Sequence, residues 1–510
     1  MRDWLPRIII LGLLGIVLGV PFIFRPADAS HTAGNPDGSA RLVIITPHNE
    51  QIRSEVANAF NTYRKALGKE AIGFDWRTSG GTSDLRKMVI ADFTAKAAEG
   101  YAAEGIGIDL FFGGGDYEHN QLAKGVVVDG QDEREMIVEP IKLPDGMLKQ
   151  VYPKDNIGGE PLHHPKLYWC GVVLSSFGIV YNRDVLEMRQ LPEPTTWADL
   201  EDPGYHGWLA LADPAHSGSL AQTYNTILRR AGWNEGWAHL RRIFANARYF
   251  TSGSSKVPVD VSSGEAAAGM CIDFYGRYQA GAVGGNRVGY VDPPFVTAVT
   301  ADPICILRGA PQQELANEFV VWILQKDTQK LWQRRIGTPN GPTTFELRRQ
   351  PIRRDLYTAQ EARNWTDPQI TPFEIARDFP GGTPNYYSYV APIAHCLAID
   401  IHEELGQAWA AINKVSDDDP VKAKMLELFD AMPQPLQLKW GSPDLQANWL
   451  TIMQSTDHPQ RKQVVDTIEA HYQSLKKRWS DHDQQLKDRL DWTLFYRENY
   501  RKIVELAQVK

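Results

Sequence analysis

The chain has 510 residues, of which 43% are apolar and 23% are charged, and its formal net charge is −8. This length predicts two or three domains, and the composition is that of a globular protein. The acidic balance argues against a nucleic-acid-binding protein, which needs a basic face. It does not exclude a local positive pocket for an anion.

The amino terminus carries a targeting signal. Arg2 and Arg7 precede an apolar run over 8–24, and a small-residue cleavage motif follows that run. A positive flank before an apolar stretch is typical of a secretory signal or a single membrane anchor. We therefore predict a signal peptide or anchor over 1–29 and a linker over 30–40. The protein is expected in the periplasm or elsewhere outside the cytoplasm, with membrane contact at its amino terminus if the signal is not cleaved.

The four cysteines do not form a metal-type pattern, because no two are spaced as CxxC. They are Cys170, Cys271, Cys305 and Cys396. Three pairings are open from sequence alone. A chain this long with four cysteines does not suggest a disulfide scaffold, so buried free thiols are the favoured interpretation.

The first part of the chain repeats a strand–loop–helix pattern. Short apolar strands are predicted at 42–45, 72–76 and 108–112, and polar or glycine-rich loops such as 79–83 and 113–115 follow them. Repeated units of this kind predict a largely parallel sheet. Ligands bind beyond the carboxyl ends of such strands, so these loops should meet at one edge.

A second α/β set follows a long extended segment at 172–182. It contains a strand at 208–212, a polar loop at 217–219 and another strand ending at 273, and the chain is extended again around 288–307. Two α/β sets joined by two extended crossings predict a two-lobed clamshell. The crossings are expected to act as hinges.

The remainder of the chain is mainly helical. From 461 to 510 it has neither glycine nor proline. Apolar residues spaced three or four apart predict one face of a long helix there; they are Val464, Ile468, Tyr472, Leu475 and Trp479.

Four segments, in order, resemble a known family. They are Leu174–Asn182, Thr195–Leu200, Ser263–Ala268 and Asp273–Gly276. Together they are similar to the extracellular solute-binding proteins of bacterial ABC importers, and most of all to the ferric-iron-type group. The resemblance covers 41–345 and implies an α/β, two-lobed type II periplasmic-binding-protein clamshell with a mainly helical C-terminal extension.

The expected organisation follows from the pattern and the resemblance together. The parts are lobe 1 (41–180), lobe 2 (181–289), the return to lobe 1 (290–345) and the helical extension (346–510). The role of the extension is open.

The resemblance also implies roles for individual residues. The loop at 217–219 matches one that holds an anion in ferric-binding relatives, which suits the free N–H groups of a helix start. Tyr275 matches one of two metal-binding tyrosines, but Phe274 stands in the partner position and cannot coordinate. His48 lies near the position of a histidine ligand. The implied metal residues are therefore Tyr275 and His48.

Two ligand classes remain open. One is a small anion such as a phosphonate or a phosphorylated compound, and the other is Fe³⁺ as the transported ligand; no resident cofactor is expected. Ferric iron wants several oxygen donors, and this sequence offers few. The candidate ligand-binding residues are Ser79, Gly80, Gly81, Thr82, Ser83, Ser217, Gly218, Ser219 and Tyr275.

A binding protein rather than an enzyme is expected, with an ABC permease and ATPase as partners and no nucleic acid. An exported enzyme on the same scaffold is an alternative, but the sequence has no GxSxG, HExxH or Walker A motif. A membrane-tethered ligand sensor that signals through the extension is the other alternative.

Overall fold

The computed structural model describes residues 40–127, 134–284, 286–380 and 383–508. The strands are β1 (Arg41–Ile45), β2 (Gly73–Arg77), β3 (Leu110–Phe112), β4 (Val138–Glu139), β5 (Asn156–Ile157), β6 (Glu160–Pro161), β7 (Cys170–Asn182), β8 (Leu209–Ala212), β9 (Ala247–Thr251), β10 (Ala268–Ile272), β11 (Val288–Val291), β12 (Val299–Leu307) and β13 (Gln350–Pro351). Strands β5 and β6 pair only with each other, and the others form one 11-stranded sheet.

Strand β7 joins the two lobes. All of its 13 residues are buried, and it lies in the middle of the sheet order β2-β1-β3-β12-β7-β10-β8-β9. Its first half, up to Ser176, pairs with β12, and its second half, from Phe177, pairs with β10 and β11. Its apolar stretches on either side of Ser175 and Ser176 suit a strand that is covered on both faces. The extended crossing predicted at 172–182 lies within this strand.

The sheet is mixed, and the expectation of a largely parallel sheet is therefore only partly correct. Strand β1 runs parallel to β2 and β3, and β8 runs parallel to β9 and β10. Strands β7 and β12 pair antiparallel with each other, and β12 is antiparallel to β3. The parallel pattern holds within each lobe, whereas the strands that connect the lobes run in opposite directions because the chain crosses and returns.

The helices flank this sheet and continue into the extension. They are α1 (Glu50–Ala66), α2 (Thr82–Ala98), α3 (Asp116–Ala123), α4 (Met147–Val151), α5 (Arg183–Arg189), α6 (Gly218–Ala231), α7 (Trp233–Ala245), α8 (Lys256–Ser263), α9 (Asp273–Ala282), α10 (Gln313–Ile323), α11 (Lys326–Gln329), α12 (Ala359–Ala362), α13 (Pro372–Ile375), α14 (Tyr387–Leu397), α15 (His402–Lys414), α16 (Pro420–Asp430), α17 (Pro443–Gln454), α18 (Arg461–Arg478) and α19 (His482–Gln508).

The extension shares one hydrophobic core with lobe 2. That core runs from β7 and α7 into α14 and α19. The indole N–H of Trp233 donates to the carbonyl of Leu436 at 2.6 Å. The fully buried guanidinium of Arg241 lies over the ring of Tyr496, 5.0 Å from its centroid. The extension is therefore built into lobe 2 and is not a separate module.

The helical stretch at 461–510 is two helices, α18 and α19, and the predicted apolar face lies on α18, which ends one residue before Trp479. The chain turns at 479–481, where the carboxylate of Asp481 accepts the backbone N–H of Asp483 at 2.9 Å and caps α19. Trp479 then stacks on Trp492 with ring centroids 5.3 Å apart. An aspartate cap followed by this stacking contact ends one helix and starts another without glycine or proline.

Two expectations from the amino terminus and the cysteines have different outcomes. The signal or anchor predicted at 1–29 lies outside the described residues. Within the described ranges, no helix is both long and apolar enough to cross a bilayer.

All four cysteines are buried free thiols, as the sequence favoured.

Candidate functional site

One cavity of about 370 Å³ lies between the lobes. Helix starts from both lobes surround it, because each helix begins where a strand or a glycine-rich loop ends at this edge of the sheet. Lobe 1 contributes the starts of α2 and α3, and lobe 2 contributes those of α6 and α9. Its size suits a small polar solute.

The helix starts give the cavity a partly positive character. The first N–H groups of a helix have no partner within the helix, and the helix dipole adds partial positive charge there. Gly81 precedes α2 and Gly115 precedes α3, and neither can cap its helix with a side chain. At α6 the hydroxyl of Ser217 accepts the N–H of Leu220 at 3.4 Å. Several helix starts, each with free N–H donors, thus converge on one volume.

The charged side chains of the same cavity are acidic. Among the described residues that line it, none is lysine or arginine, and the carboxylates are Asp84, Asp116, Glu118 and Asp302. Burial, with Glu160 and Glu118 nearby, raises the pKa of Asp116 to about 8. Burial also raises the pKa of Glu118. These two carboxyl groups therefore tend toward the neutral form, which can face an anion.

Three buried polar atoms of the lining have no protein partner among the described residues. They are Oε2 of Glu118, Oδ1 of Asp302 and Nε2 of Gln222. Glu118 and Asp302 belong to lobe 1, and Gln222 lies on α6 of lobe 2. Because an unpaired buried polar group costs about 1–3 kcal/mol, such atoms are suited to hydrogen bonds with a solute. The site offers acceptors from one lobe and a donor from the other.

His48 lies in the lining but both of its ring nitrogens are engaged. Nδ1 lies 3.0 Å from the hydroxyl of Thr46, and Nε2 lies 2.9 Å from Oδ2 of Asp302 and 3.0 Å from Nη1 of Arg349. Burial lowers the pKa of His48, although Asp302 opposes the shift. Burial alone would raise the pKa of Asp302, but Arg349 and His48 hold it at about 2. His48 thus belongs to a buried network with a charged Asp302–Arg349 pair.

Tyr275 also lines the cavity, at the start of α9. Burial raises its pKa to about 12, so the phenolate that would bind iron is disfavoured. No group of three or more His, Cys, Asp or Glu side chains in the described ranges is arranged to hold a metal ion.

Most of the residues predicted for the ligand site line this cavity. Ser79 is exposed and lies outside the lining. Ser83 is buried behind it, and its hydroxyl donates to Oε1 of Glu118 at 3.3 Å. The predicted residues that do line it are His48, Gly80, Gly81, Thr82, Ser217, Gly218, Ser219 and Tyr275.

Sequence reasoning missed part of the lining. Glu118 follows the glycine turn at 113–115, and the expectation that loops after strands meet at one edge could have found it. Tyr387 comes from α14 of the extension and had no sequence signal, because only the folded chain brings it near Glu118.

The lobes touch across the cavity. A Cβ added to Gly81 would lie 2.1 Å from the carbonyl oxygen of His216. The ring of His216 lies 3.1 Å from Asp84, and the ammonium of Lys87 donates to the carbonyl of Ala215 at 3.2 Å. The structure is therefore a closed form, in which Gly81 permits the close approach of two backbones.

Two α/β lobes joined at a shared strand, with a closed cavity between them, form a two-lobed clamshell. Residues 140–357 match the family model of bacterial extracellular solute-binding proteins. The periplasmic binding protein AfuA from Actinobacillus pleuropneumoniae, with exogenous fructose-6-phosphate bound, superimposes with a TM-score of 0.52 and 16% identity, covering 74% of this chain and 99% of that one. The fold is thus that of type II periplasmic binding proteins, as the sequence resemblance predicted.

Two curated proteins share shorter stretches of sequence with this chain. The phosphoglycerate transport regulatory protein PgtC of Salmonella typhimurium is 29% identical over 160 residues, which are 31% of this chain and 39% of that protein. A gamma-aminobutyric acid-binding protein of Pseudomonas aeruginosa is 25% identical over 206 residues, 37% of this chain and 55% of that protein. The chain thus matches only about two fifths to half of these relatives. The matched family and the structural neighbour are binding proteins and not enzymes.

Proposed function

We propose that the protein is an extracytoplasmic solute-binding component of an ABC import system, and that it captures a small phosphorylated, hydroxylated solute between its lobes. The observation that carries the proposal is the pairing of two chemistries in one closed cavity. Helix starts of both lobes offer N–H donors, and buried carboxyl groups offer acceptors.

The phosphoryl group is assigned to the donors. A phosphate at the start of α6 would accept the N–H groups of Gly218 and Ser219, and Nε2 of Gln222 is a buried donor without a protein partner in the described part of the chain. Hydrogen bonds to a charged group contribute about 1.5–3 kcal/mol each. Several such bonds would hold a phosphate without a lysine or arginine.

The hydroxyl groups are assigned to the acidic side. The carboxylate of Asp302 is ionised at neutral pH, because Arg349 and His48 hold its pKa at about 2, and its Oδ1 has no protein partner among the described residues. An ionised carboxylate only accepts hydrogen bonds. It would repel a phosphate and favour a hydroxyl, so the two ends of the solute have distinct places.

The names of two similar proteins agree with this class of solute. AfuA was solved with fructose-6-phosphate, and PgtC is named for phosphoglycerate transport. A gamma-aminobutyric acid-binding protein also matches, so the matched sequence does not restrict the ligand to phosphates. The cavity combines N–H donors at helix starts with carboxyl acceptors, and this combination favours a phosphorylated, hydroxylated solute.

Ferric iron has less support. Both nitrogens of His48 are engaged, and burial disfavours the phenolate of Tyr275. Both metal residues implied by the resemblance are therefore less available to a metal ion.

A thermal-shift and calorimetry panel tests the proposal. Fructose 6-phosphate, 3-phosphoglycerate, inorganic phosphate, fructose, γ-aminobutyrate and ferric citrate are compared. We expect one of the phosphorylated, hydroxylated compounds to stabilise most, by about 2.7 kcal/mol at a hundred times its Kd. Stabilisation by ferric citrate or γ-aminobutyrate alone would contradict the assignment, and turnover of a bound compound would favour an exported enzyme.

The location and partners belong to the same proposal. The family match supports a place outside the cytoplasm and delivery to a permease and its ATPase. A reporter fused at the C-terminus should be active only outside the cytoplasm. Activity confined to the cytoplasm would contradict export. Signalling through the extension, the sensor alternative, is favoured by the regulatory name of PgtC and would appear as a ligand response without transport.

A further inference from the structure

The helical extension reaches into the ligand cavity through one side chain. Tyr387, at the start of α14, is buried and lines the cavity. Its hydroxyl lies 2.8 Å from Oε1 of Glu118 in lobe 1 and 3.2 Å from the carbonyl oxygen of Gly218 in lobe 2. Its ring stacks on Tyr117 with centroids 4.1 Å apart. One phenol of the extension thus contacts both lobes at the site.

The protons of this contact can be counted. A phenol has one proton, whereas a carboxylate and a carbonyl can only accept. All three groups are satisfied if Glu118 is protonated, donates to Tyr387 through Oε1, and Tyr387 donates to Gly218. Burial raises the pKa of Glu118, which agrees with this arrangement. In either protonation state, Oε2 of Glu118 is left as an acceptor.

Oε2 of Glu118 has no protein partner in the part of the chain that the structure describes, and Glu118 is only 1% exposed. Because Tyr387 and Ser83 both contact Oε1, they fix the carboxyl group so that Oε2 is the oxygen left over. An acceptor held in this way suits a hydroxyl of the solute and not its phosphate.

We propose that Glu118 is a specificity-determining residue that accepts a hydrogen bond from a solute hydroxyl through Oε2, and that Tyr387 of the extension is the positioning residue that holds it. The inference rests on the proposed function and extends it. Under this proposal the extension is part of the ligand site, because the two lobes alone do not supply Tyr387.

Calorimetry with two esters tests the inference. Glycerol 3-phosphate and n-propyl phosphate share a three-carbon skeleton and differ in their hydroxyls. The wild type should prefer glycerol 3-phosphate. Tyr387→Phe should reduce that preference about tenfold, equivalent to about 1.4 kcal/mol, and Glu118→Met should remove most of it. Binding of n-propyl phosphate should change less than twofold.

Tyr389→Phe is the matched control, because Tyr389 is a buried tyrosine of the same helix outside the ligand cavity. It should keep the wild-type preference. Unchanged preference in Tyr387→Phe or in Glu118→Met would overturn the inference, since a merely structural role would weaken both esters alike.

Infrared difference spectra of the ligand-free protein separate this inference from the proposed function. The carboxyl C=O band assigned by its loss in Glu118→Met should shift in Tyr387→Phe and not in Tyr389→Phe. No shift would overturn the positioning role of Tyr387. If the wild type binds neither ester nor any phosphorylated compound, the proposed function fails, and the hydroxyl contact fails with it, whatever the spectra show.

Discussion

Substitution of Gly81 by alanine should hold the lobes apart without unfolding either one. The added Cβ would lie 2.1 Å from the carbonyl oxygen of His216, a backbone atom that no side-chain rotation can move. Normal contact needs the two loops to separate by about 1 Å or more. Gly81 itself has φ −80°, which alanine adopts freely, so lobe 1 should fold as before.

The cost should fall on the closed state and hence on ligand affinity. Overpacking typically costs about 1–3 kcal/mol, which corresponds to about 5- to 150-fold weaker binding. The interlobe contact of His216 with Asp84 would be lost with it.

Calorimetry with the best ligand of the panel measures the affinity, and small-angle scattering of the liganded protein measures the lobe separation. Gly406→Ala is the control, because its Cβ would meet its nearest neighbour at an ordinary 3.4 Å. Wild-type affinity and scattering in Gly81→Ala would refute the reasoning from this contact.

Three further outcomes follow from buried groups. Burial raises the pKa of Asp116 to about 8 from 3.8, so its stabilising contribution is fully present below pH 3.8 and is lost as the pH rises to about 8. Asp116→Asn should therefore match the wild type at or below pH 3.8 and have the higher Tm near pH 9, and equal Tm values at pH 9 would contradict this. Arg349→Met should lower the free energy of unfolding by about 3–5 kcal/mol, because the buried carboxylate of Asp302 loses its cationic partner and keeps only its contact with His48. Lys462→Ala, at an exposed ion pair, should leave the denaturant midpoint unchanged, and equal midpoints for the two variants would contradict this prediction. Deletion of 461–510 removes part of the lobe 2 core, so the truncated protein should lose the single cooperative unfolding transition of the full chain. A truncated protein that still unfolds cooperatively would show that the extension is a separate module.

Local patterns predicted several strands well. The strands at β1, β3 and β8 are short apolar runs bounded by polar or glycine-rich turns, and such runs can be recognised one at a time. The loop at 217–219 was found because a strand, a polar loop and a helix follow one another directly. The mixed direction of the sheet was not predicted, since it depends on how β7 and β12 pair across more than a hundred residues.

The missing parts of the candidate site are long-range. Tyr387 contacts Glu118 across 269 positions of the chain, and no local sequence pattern around either residue predicts this contact. The network that engages His48 likewise needs Arg349, 301 positions away. The sequence could suggest His48 as a metal ligand, but only the folded chain shows that the guanidinium of Arg349 lies beside its ring nitrogen.

The central claim is that a phosphoryl group sits at the helix starts and hydroxyl groups face the carboxyl side. A crystal structure of the protein with fructose 6-phosphate tests it most directly. The account predicts phosphate oxygens within hydrogen-bonding distance of the N–H groups of Gly218 and Ser219, with sugar hydroxyls near Asp302 and Glu118. A phosphate bound outside the cavity, or a cavity that holds a metal ion between Tyr275 and His48, would contradict it.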